Sequence, residues 1–341
     1  MDSSHHGTRK SVVREGYCSL RTLKAGDVDE HADNLSAWEQ HYDQLSAGRF
    51  SGALTEFWTE ETQVFLEKTS CAVRQSCRVW PDSLWFGIPV RHDGTRMGGR
   101  EAPDGAVLVH SGGSEFELVT PADHEIFGIV VRQTALQQFC ATQGIHSDLE
   151  RLRTAGWIEL DSAIRRNSVG MLQNLFVELA RNPGAGTHQA AHRHLEDTVL
   201  ELLLPFVESR DPAPEAGSAQ ARRRLVVAEI VDFARAHPDW VPGVPELCEK
   251  FHLSRRSLQY AFEEVMGTSP SGYLRALRLN GVRRSLRTQQ SFSVQDAALG
   301  RGFWNLSQFS ADYRKFFGER PSDTLNRANS LSPSAQYPRR H

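Results

Sequence analysis

Between Val244 and Pro321 one local pattern is written twice, and that repetition limits what the last third of the chain can be. In the first copy, Val244–Phe251 reads as a short helix, with Pro245 at its start, where a missing backbone N–H costs little. His252 and Leu253 make a turn. Ser254 is a natural N-cap for a second helix, since its hydroxyl can accept a free backbone N–H. That helix carries Leu258, Phe262 and Val265 on one face, and Gly267 stands where a helix end favours a left-handed residue. In the second copy, Val294–Leu299 is the short helix and Gly300, Arg301 and Gly302 open the turn. Asn305 caps a helix whose stripe is Leu306, Phe309, Tyr313 and Phe316. Gly318 ends it and Pro321 follows. Between the copies, Ser271–Arg287 reads as a longer helix. Leu274, Leu277, Val282 and Leu286 point inward, and Arg275, Arg278, Arg283, Arg284 and Arg287 decorate its surface. A helix with Leu225, Ile230 and Phe233 precedes both copies and ends before Pro238.

Helix, tight turn, helix is the arrangement that sets the start of the second helix into the major groove of DNA. The residues placed to touch DNA are Ser254, Arg255, Arg256, Gln259 and Tyr260 in the first unit. In the second they are Asn305, Ser307, Gln308, Arg314 and Lys315. Arg suits guanine and Gln suits adenine, because each can pair bidentately. A charged, solvated helix face would explain the first set equally well. Charge supports the nucleic-acid reading: residues 222–328 carry 17 Lys/Arg against 11 Asp/Glu, whereas residues 1–221 carry 20 against 31. A basic module tethered to an acidic one suggests a polyanion partner for the basic part.

The segment ESRDPAPEAGSAQA, residues 208–221, is rich in Pro, Gly, Ser and Ala and lacks large apolar residues, the composition of a linker. The expected division is a disordered stretch at 1–10, a sensory and dimerisation domain at 11–207, the linker, a DNA-binding domain at 222–328 and a disordered tail at 329–341. Up to about residue 132 short apolar runs alternate with turn signals, which suggests a small barrel or sandwich. Beyond it the period becomes helical: Val169, Leu172, Phe176 and Leu179 form one stripe, and Leu195, Val199, Leu202, Leu203 and Phe206 another. These helices could pack on the barrel, on each other or on a second copy of the chain.

Five cysteines with no C-x-x-C indicate neither a disulfide framework nor a zinc site, and a reducing cytoplasm fits. No apolar run is long enough for a membrane span. An enzyme is the strongest reading of a different class. However, His92, His110 and His124 lie far apart, and His188, His192 and His194 read as a solvated helix start. No phosphate loop or G-x-S-x-G occurs. No catalytic residue, metal or cofactor is therefore expected. A purely architectural DNA binder would leave the N-terminal two-thirds without a role.

The block PELCEKFHLSRRSLQYAFEEVMGTSPSGYLRALRLNGVRRSL, followed by GFWNLSQFSADYRKFFGERPSDTL, resembles the DNA-binding domain of the AraC/XylS family of transcription regulators. The match runs through Leu247, Ser254, Arg256, Leu258, Phe262, Gly267, Pro270, Tyr273 and Arg278, then Gly302, Phe303, Phe309, Phe316, Gly318 and Pro321. Tyr260 stands where Arg is common and Val282 where Ala is usual. HYDQLSAGRFSGAL and GSEFELVTPADHEIFGIVV resemble the sensory half of the ethanolamine-utilisation branch. The resemblance implies an α+β chain: a cupin-like β-barrel with trailing helices that dimerise, a linker, and an all-α domain with two helix-turn-helix units. It implies double-stranded DNA and RNA polymerase as partners and an activator of a catabolic operon. Its effector would be a small amine, an amino alcohol or a related substrate. Trp80, Trp85 and Phe86 are candidates to wall the effector site, with core packing as the other reading of all three.

Overall fold

A computed structural model describes residues 20–91, 94–183, 189–209, 217–237, 242–288 and 293–331. The stretch at 1–10, His92, His188 and most of the expected tail lie outside them.

The N-terminal half is a two-sheet sandwich with helices on one side. Its strands are β1 (Arg21–Ala25), β2 (Glu39–Gln44), β3 (Gly52–Trp58), β4 (Thr62–Thr69), β5 (Val73–Arg78), β6 (Ser83–Pro89), β7 (Arg96–Met97), β8 (Arg100–Glu101), β9 (Ala106–Ser111), β10 (Glu115–Thr120), β11 (His124–Arg132) and β12 (Trp157–Glu159). One sheet has the order β1-β3-β4-β11-β6-β9-β12 and the other β2-β5-β10-β7-β8, and every pairing is antiparallel. The expected closed barrel is therefore corrected to two open sheets. Among the described residues, no ladder joins them. They are held by an apolar layer to which both contribute, including Leu54, Phe65, Trp85 and Val130 from one and Tyr42, Val73, Phe116 and Leu118 from the other.

A short helix, α1 (Val28–Ala32), is capped by Asp27, whose carboxylate accepts from the Asp29 and Glu30 amides. After β11 come α2 (Gln133–Thr142), α3 (Leu149–Ala155), α4 (Ser162–Arg181) and α5 (Gln189–Glu208). The stripes of α4 and α5 are buried within the protomer against the outer face of the larger sheet. There the Phe176 ring lies 5.5 Å from both Phe57 and Phe127, and Phe206 lies 5.8 Å from Phe86.

The C-terminal half contains α6 (Ser218–Ala236), α7 (Val244–Lys250), α8 (Arg255–Met266), α9 (Pro270–Arg287), α10 (Val294–Leu299), α11 (Leu306–Phe317) and α12 (Pro321–Leu331). Ser218–Ala221, which composition gave to the linker, forms the first turn of α6 instead; alanines favour helix. Two apolar clusters organise the half. One gathers Ile230, Leu247, Leu258, Phe262 and Tyr273 around α8, and the other Val282, Leu286, Phe309 and Tyr313 around α11. The longer helix α9 belongs to both.

That helix also carries much of the contact between the halves, to which the ends of α8 and α11 add: Arg96 Nε donates to Glu264 O (3.2 Å), and Gly48 N and Gln44 Nε2 donate to Phe316 O (2.9 and 3.0 Å). β2 is an edge strand, and Asn280 serves its last residue in place of a neighbour: Gln44 N donates to Asn280 Oδ1 (3.2 Å) and Asn280 Nδ2 donates to Gln44 O (2.8 Å). Arg284 reaches Asp29 (2.8 Å) and Asp43 (2.9 Å), and Arg235 of α6 reaches the other Asp43 oxygen (3.0 Å). Arg283 and Arg287 both pair with Asp27, and Arg283 Nη1 lies 2.9 Å from Glu319. The arginines expected to decorate α9 are thus partly consumed inside the chain.

Burial alone would raise the Asp43 carboxyl. Its hydrogen bond with His41 and the charges of Arg284 and Arg235 outweigh that and hold it well below the usual carboxylate range. A group depressed in this way contributes stability that is fully present above its free value, about pH 3.9, and is lost as pH falls toward the depressed one. The junction should therefore persist at pH 5 and loosen only below about pH 4. Hydrogen exchange of β2 and α9 amides across that range checks it.

Candidate nucleic-acid interface

α8 and α11 are built alike. Each has 12 residues, starts on a side-chain cap and ends on a left-handed glycine. Ser254 Oγ accepts from the Ser257 amide at 3.0 Å, and Asn305 Oδ1 from the Gln308 amide at 3.0 Å. Gly267 and Gly318 have φ of 67° and 70°, which glycine adopts without the penalty a Cβ brings. The tight turn before α8 is closed by His252 at φ 52°.

The polar faces of both helices are open. Arg255, Arg256 and Tyr260 are exposed on α8 and Gln259 is half-buried; on α11, Ser307, Gln308, Arg314 and Lys315 are exposed. The two caps, Ser254 and Asn305, are exposed as well. The ten residues expected from sequence thus fall on the caps, the first two turns of α8, and the first and last turns of α11. In each helix a glutamine is held by an acid one turn on: Gln259 Nε2 lies 2.5 Å from Glu263 Oε1, and Gln308 Nε2 lies 2.9 Å from Asp312 Oδ1. Such a bond fixes which edge the amide shows while leaving its oxygen and second N–H available. Asp312 is also ion-paired with Arg275 of α9, so its carboxylate is neutralised rather than turned bare toward a phosphate.

Sequence reasoning missed Trp304. It sits immediately before the Asn305 cap and is 80% exposed, the most exposed large apolar residue described. A tryptophan is most often core, and only the knowledge that the turn faces outward marks this one. Leu225, placed with Ile230 and Phe233 on the helix before the two units, is 67% exposed.

Of the candidate effector residues, Trp80 and Trp85 share the interior cluster of the sandwich and Phe86 does not. Trp85 and Phe86 are adjacent on β6 and so face opposite sides of the sheet. Trp85 packs in the sandwich interior, stacked on Phe116 at 4.9 Å, whereas Phe86 lies under the helices. Trp80 lies at the sheet margin near Trp58 and Arg132. Among the described residues, no group of His, Cys, Asp and Glu could hold a metal ion, and no helix is long and apolar enough to cross a membrane.

Residues 247–327 match the family described as "Helix-turn-helix domain". The XylDLEGF operon transcriptional activator 3 of Pseudomonas putida is 38% identical over 273 residues, covering 75% of this chain and 73% of that protein. The chain belongs to the AraC/XylS family of transcription regulators. A second relative from the same organism, the XylDLEGF operon transcriptional activator, is 27% identical over 226 residues, covering 65% of this chain and 67% of that one. Among solved structures, a Chromobacterium violaceum transcriptional regulator described by its AraC-type DNA-binding domain is 28% identical. It covers 33% of this chain and 99% of that chain, with a TM-score of 0.30. As an AraC/XylS regulator, the protein binds DNA, and α8 and α11 both lie within the matched segment.

Proposed function

We propose that this regulator activates a catabolic operon by reading DNA with both α8 and α11, under control of a small-molecule effector. The observation that carries the reading is one of sides. The N-terminal half docks on α9 through Asn280, Arg283 and Arg284 and on the C-terminal ends of α8 and α11 through Glu264 and Phe316 carbonyls, while the polar faces of α8 and α11 stay exposed. The docked protein can therefore approach DNA without separating its halves. A rigid α9 would set the two helices into successive major grooves about 10 base pairs apart. Arg256 and Gln259 would read bases in one groove and Ser307 and Gln308 in the other. Arg314 and Lys315 would hold phosphates. The relatives named for activating an operon support activation, and RNA polymerase is the partner that activation requires.

The effector reading rests on unmet donors inside the sandwich. The indole N–H groups of Trp85 and Trp157 and the amide of Gln75 are buried without a hydrogen-bond partner, on strands that share one interior layer. Buried donors are nearly always satisfied, so a ligand bearing acceptors would suit this layer. Of the three residues expected to wall an effector, Trp85 lies in this layer, Trp80 packs against it from the margin with its indole N–H also unmet, and Phe86 faces the helices instead. A second copy of the chain would use Ile164, Met171 and Val177, which α4 leaves exposed beside its buried stripe.

Deletion tests the arrangement. A 219–328 fragment should fold and bind duplex DNA, with affinity falling steeply as salt rises, because phosphate contacts release counterions. Its binding should ignore any effector that shifts the full-length protein. A folded fragment with no DNA binding at low salt, or one that still answers the effector, overturns the proposal.

A further inference from the structure

The turn before α11 is anchored on both sides of one exposed residue. Gly302 has φ 74° and its N–H donates to Leu299 O at 3.0 Å, while the Phe303 N–H donates to Ala298 O at 3.0 Å. Phe303 then turns inward, its ring 5.0 Å from that of Phe309, and Leu306 packs on the same cluster. Asn305 is fixed by its cap bond to the Gln308 amide. Trp304 stands between these anchors and points the other way, 80% exposed. A single exposed apolar side chain means little by itself; what gives this one meaning is its place. It directly precedes the cap of α11 and the turn that carries the exposed Ser307 and Gln308. Among the described residues, Tyr260 of α8 is the other large aromatic left exposed, so both stand at the two reading helices. Positive charge surrounds the turn. The Arg278 guanidinium lies 5.4 Å from the centre of the Phe303 ring, and the free N–H groups at the start of α11 add the positive end of its dipole.

We propose that Trp304 determines specificity: when α11 enters the major groove, the indole ring packs on the C5-methyl group of a thymine beside the base that Gln308 reads. The inference rests on the reading of α11 as a base-reading helix and adds to it a contact that is apolar rather than hydrogen-bonded. In a helix-turn-helix unit the N-terminal residues of the second helix reach the base edges, so the residue just before the cap arrives at the same groove. Thymine is the base that presents a methyl group there, and apolar side chains recognise it. The indole offers a single donor and no acceptor, so most of its surface has nothing to exchange with the polar edges of the other bases. The anchored turn also lowers the cost of binding, because only the side chain has to be ordered. The positive surroundings favour DNA over an apolar protein surface as the occupant, since a polyanion meets the charge while its thymine methyl meets the ring.

Selection of duplexes from a random pool tests it, first with the full-length protein and then with its Trp304→Ala variant. The wild type should enrich a thymine at a fixed position that the variant no longer selects. Replacing that thymine by deoxyuridine removes only the methyl group, and should weaken wild-type binding about fourfold, the worth of one buried methyl-sized group. Trp304→Ala should bind the thymine duplex about tenfold or more weakly than the wild type and be indifferent to the replacement. Trp304→Phe, which keeps an aromatic face, should recover part of both. The thermal midpoint should not move, because the ring lies in solvent; a merely structural role would lower the midpoint and weaken thymine and deoxyuridine duplexes alike. Equal sensitivity of wild type and Trp304→Ala to every thymine replacement overturns the proposal. So does a loss of affinity in Trp304→Ala that no replacement reproduces. In either case, a preference that Gln308→Ala still relaxes leaves α11 as a reading helix without Trp304. Failure to enrich any sequence removes the DNA reading itself, and this proposal with it.

Discussion

Asp27→Asn should open the junction between the halves while leaving each half folded. Asp27 and Arg283 are both almost fully buried, and the same carboxylate also takes Arg287. Asparagine keeps an oxygen that can cap α1, so the local helix start survives and the lost quantity is charge. Arg283 would retain Glu319 and its place over the Phe317 ring, 4.6 Å from the centroid. Removing one partner of a buried ion pair costs about 3–5 kcal/mol where the remaining charge is left unpaired, and less here because Glu319 still pairs Arg283. The chain has a cheaper exit than unfolding, which is to undock and let Arg283 and Arg287 hydrate. The expected result is a large loss of hydrogen-exchange protection in β2, α1 and α9, with little change in the cores around Phe262 and Phe127. Unchanged protection at all three elements would show that the ion pairs do not hold the junction.

The second large effect concerns base reading. Arg256→Ala should cost roughly 1–3 kcal/mol on the correct site and relax the preference at one base position. Arg256 is exposed on the first turn of α8 and stays within 6.0 Å of the Tyr260 ring, a position from which it can swing to a base edge. Lys315→Ala should behave differently. Lys315 is exposed in the last turn of α11, so its loss should weaken binding to all sequences alike and lower the salt slope by about one. Competition titrations against variant duplexes at several salt concentrations separate the two signatures. Equal loss on every sequence for Arg256→Ala would remove it from the base-reading set.

The C-terminal half was legible because its signals are local. Ser254 and Asn305 announce helix starts, Gly267 and Gly318 announce ends, and the stripes between them, Leu258-Phe262-Val265 and Phe309-Tyr313, face the two cores as their spacing requires. What was not legible is long-range. Nothing local distinguishes an arginine that hydrates from one that docks, so Arg283 and Arg284 read as decoration until Asp27, Asp29 and Asp43 are brought opposite them. The charge asymmetry that points to DNA is thus also spent in part on holding the molecule together. The sandwich was legible as strands but not as two open sheets, because strand order is a matter of pairing across distant segments. One misjudgement was avoidable: Trp85 and Phe86 are consecutive in a strand, and a period of two forbids both from walling one site.

The central claim is that each protomer uses both α8 and α11 to read sequence. High-resolution footprinting of the full-length protein on its operator measures this directly. The account predicts protection of two successive major grooves per protomer, about 10 base pairs apart, with Gln308→Ala relaxing preference in one and Arg256→Ala in the other. Protection of a single groove, with specificity unaltered by Gln308→Ala, would contradict it and leave α11 as a clamp on the backbone.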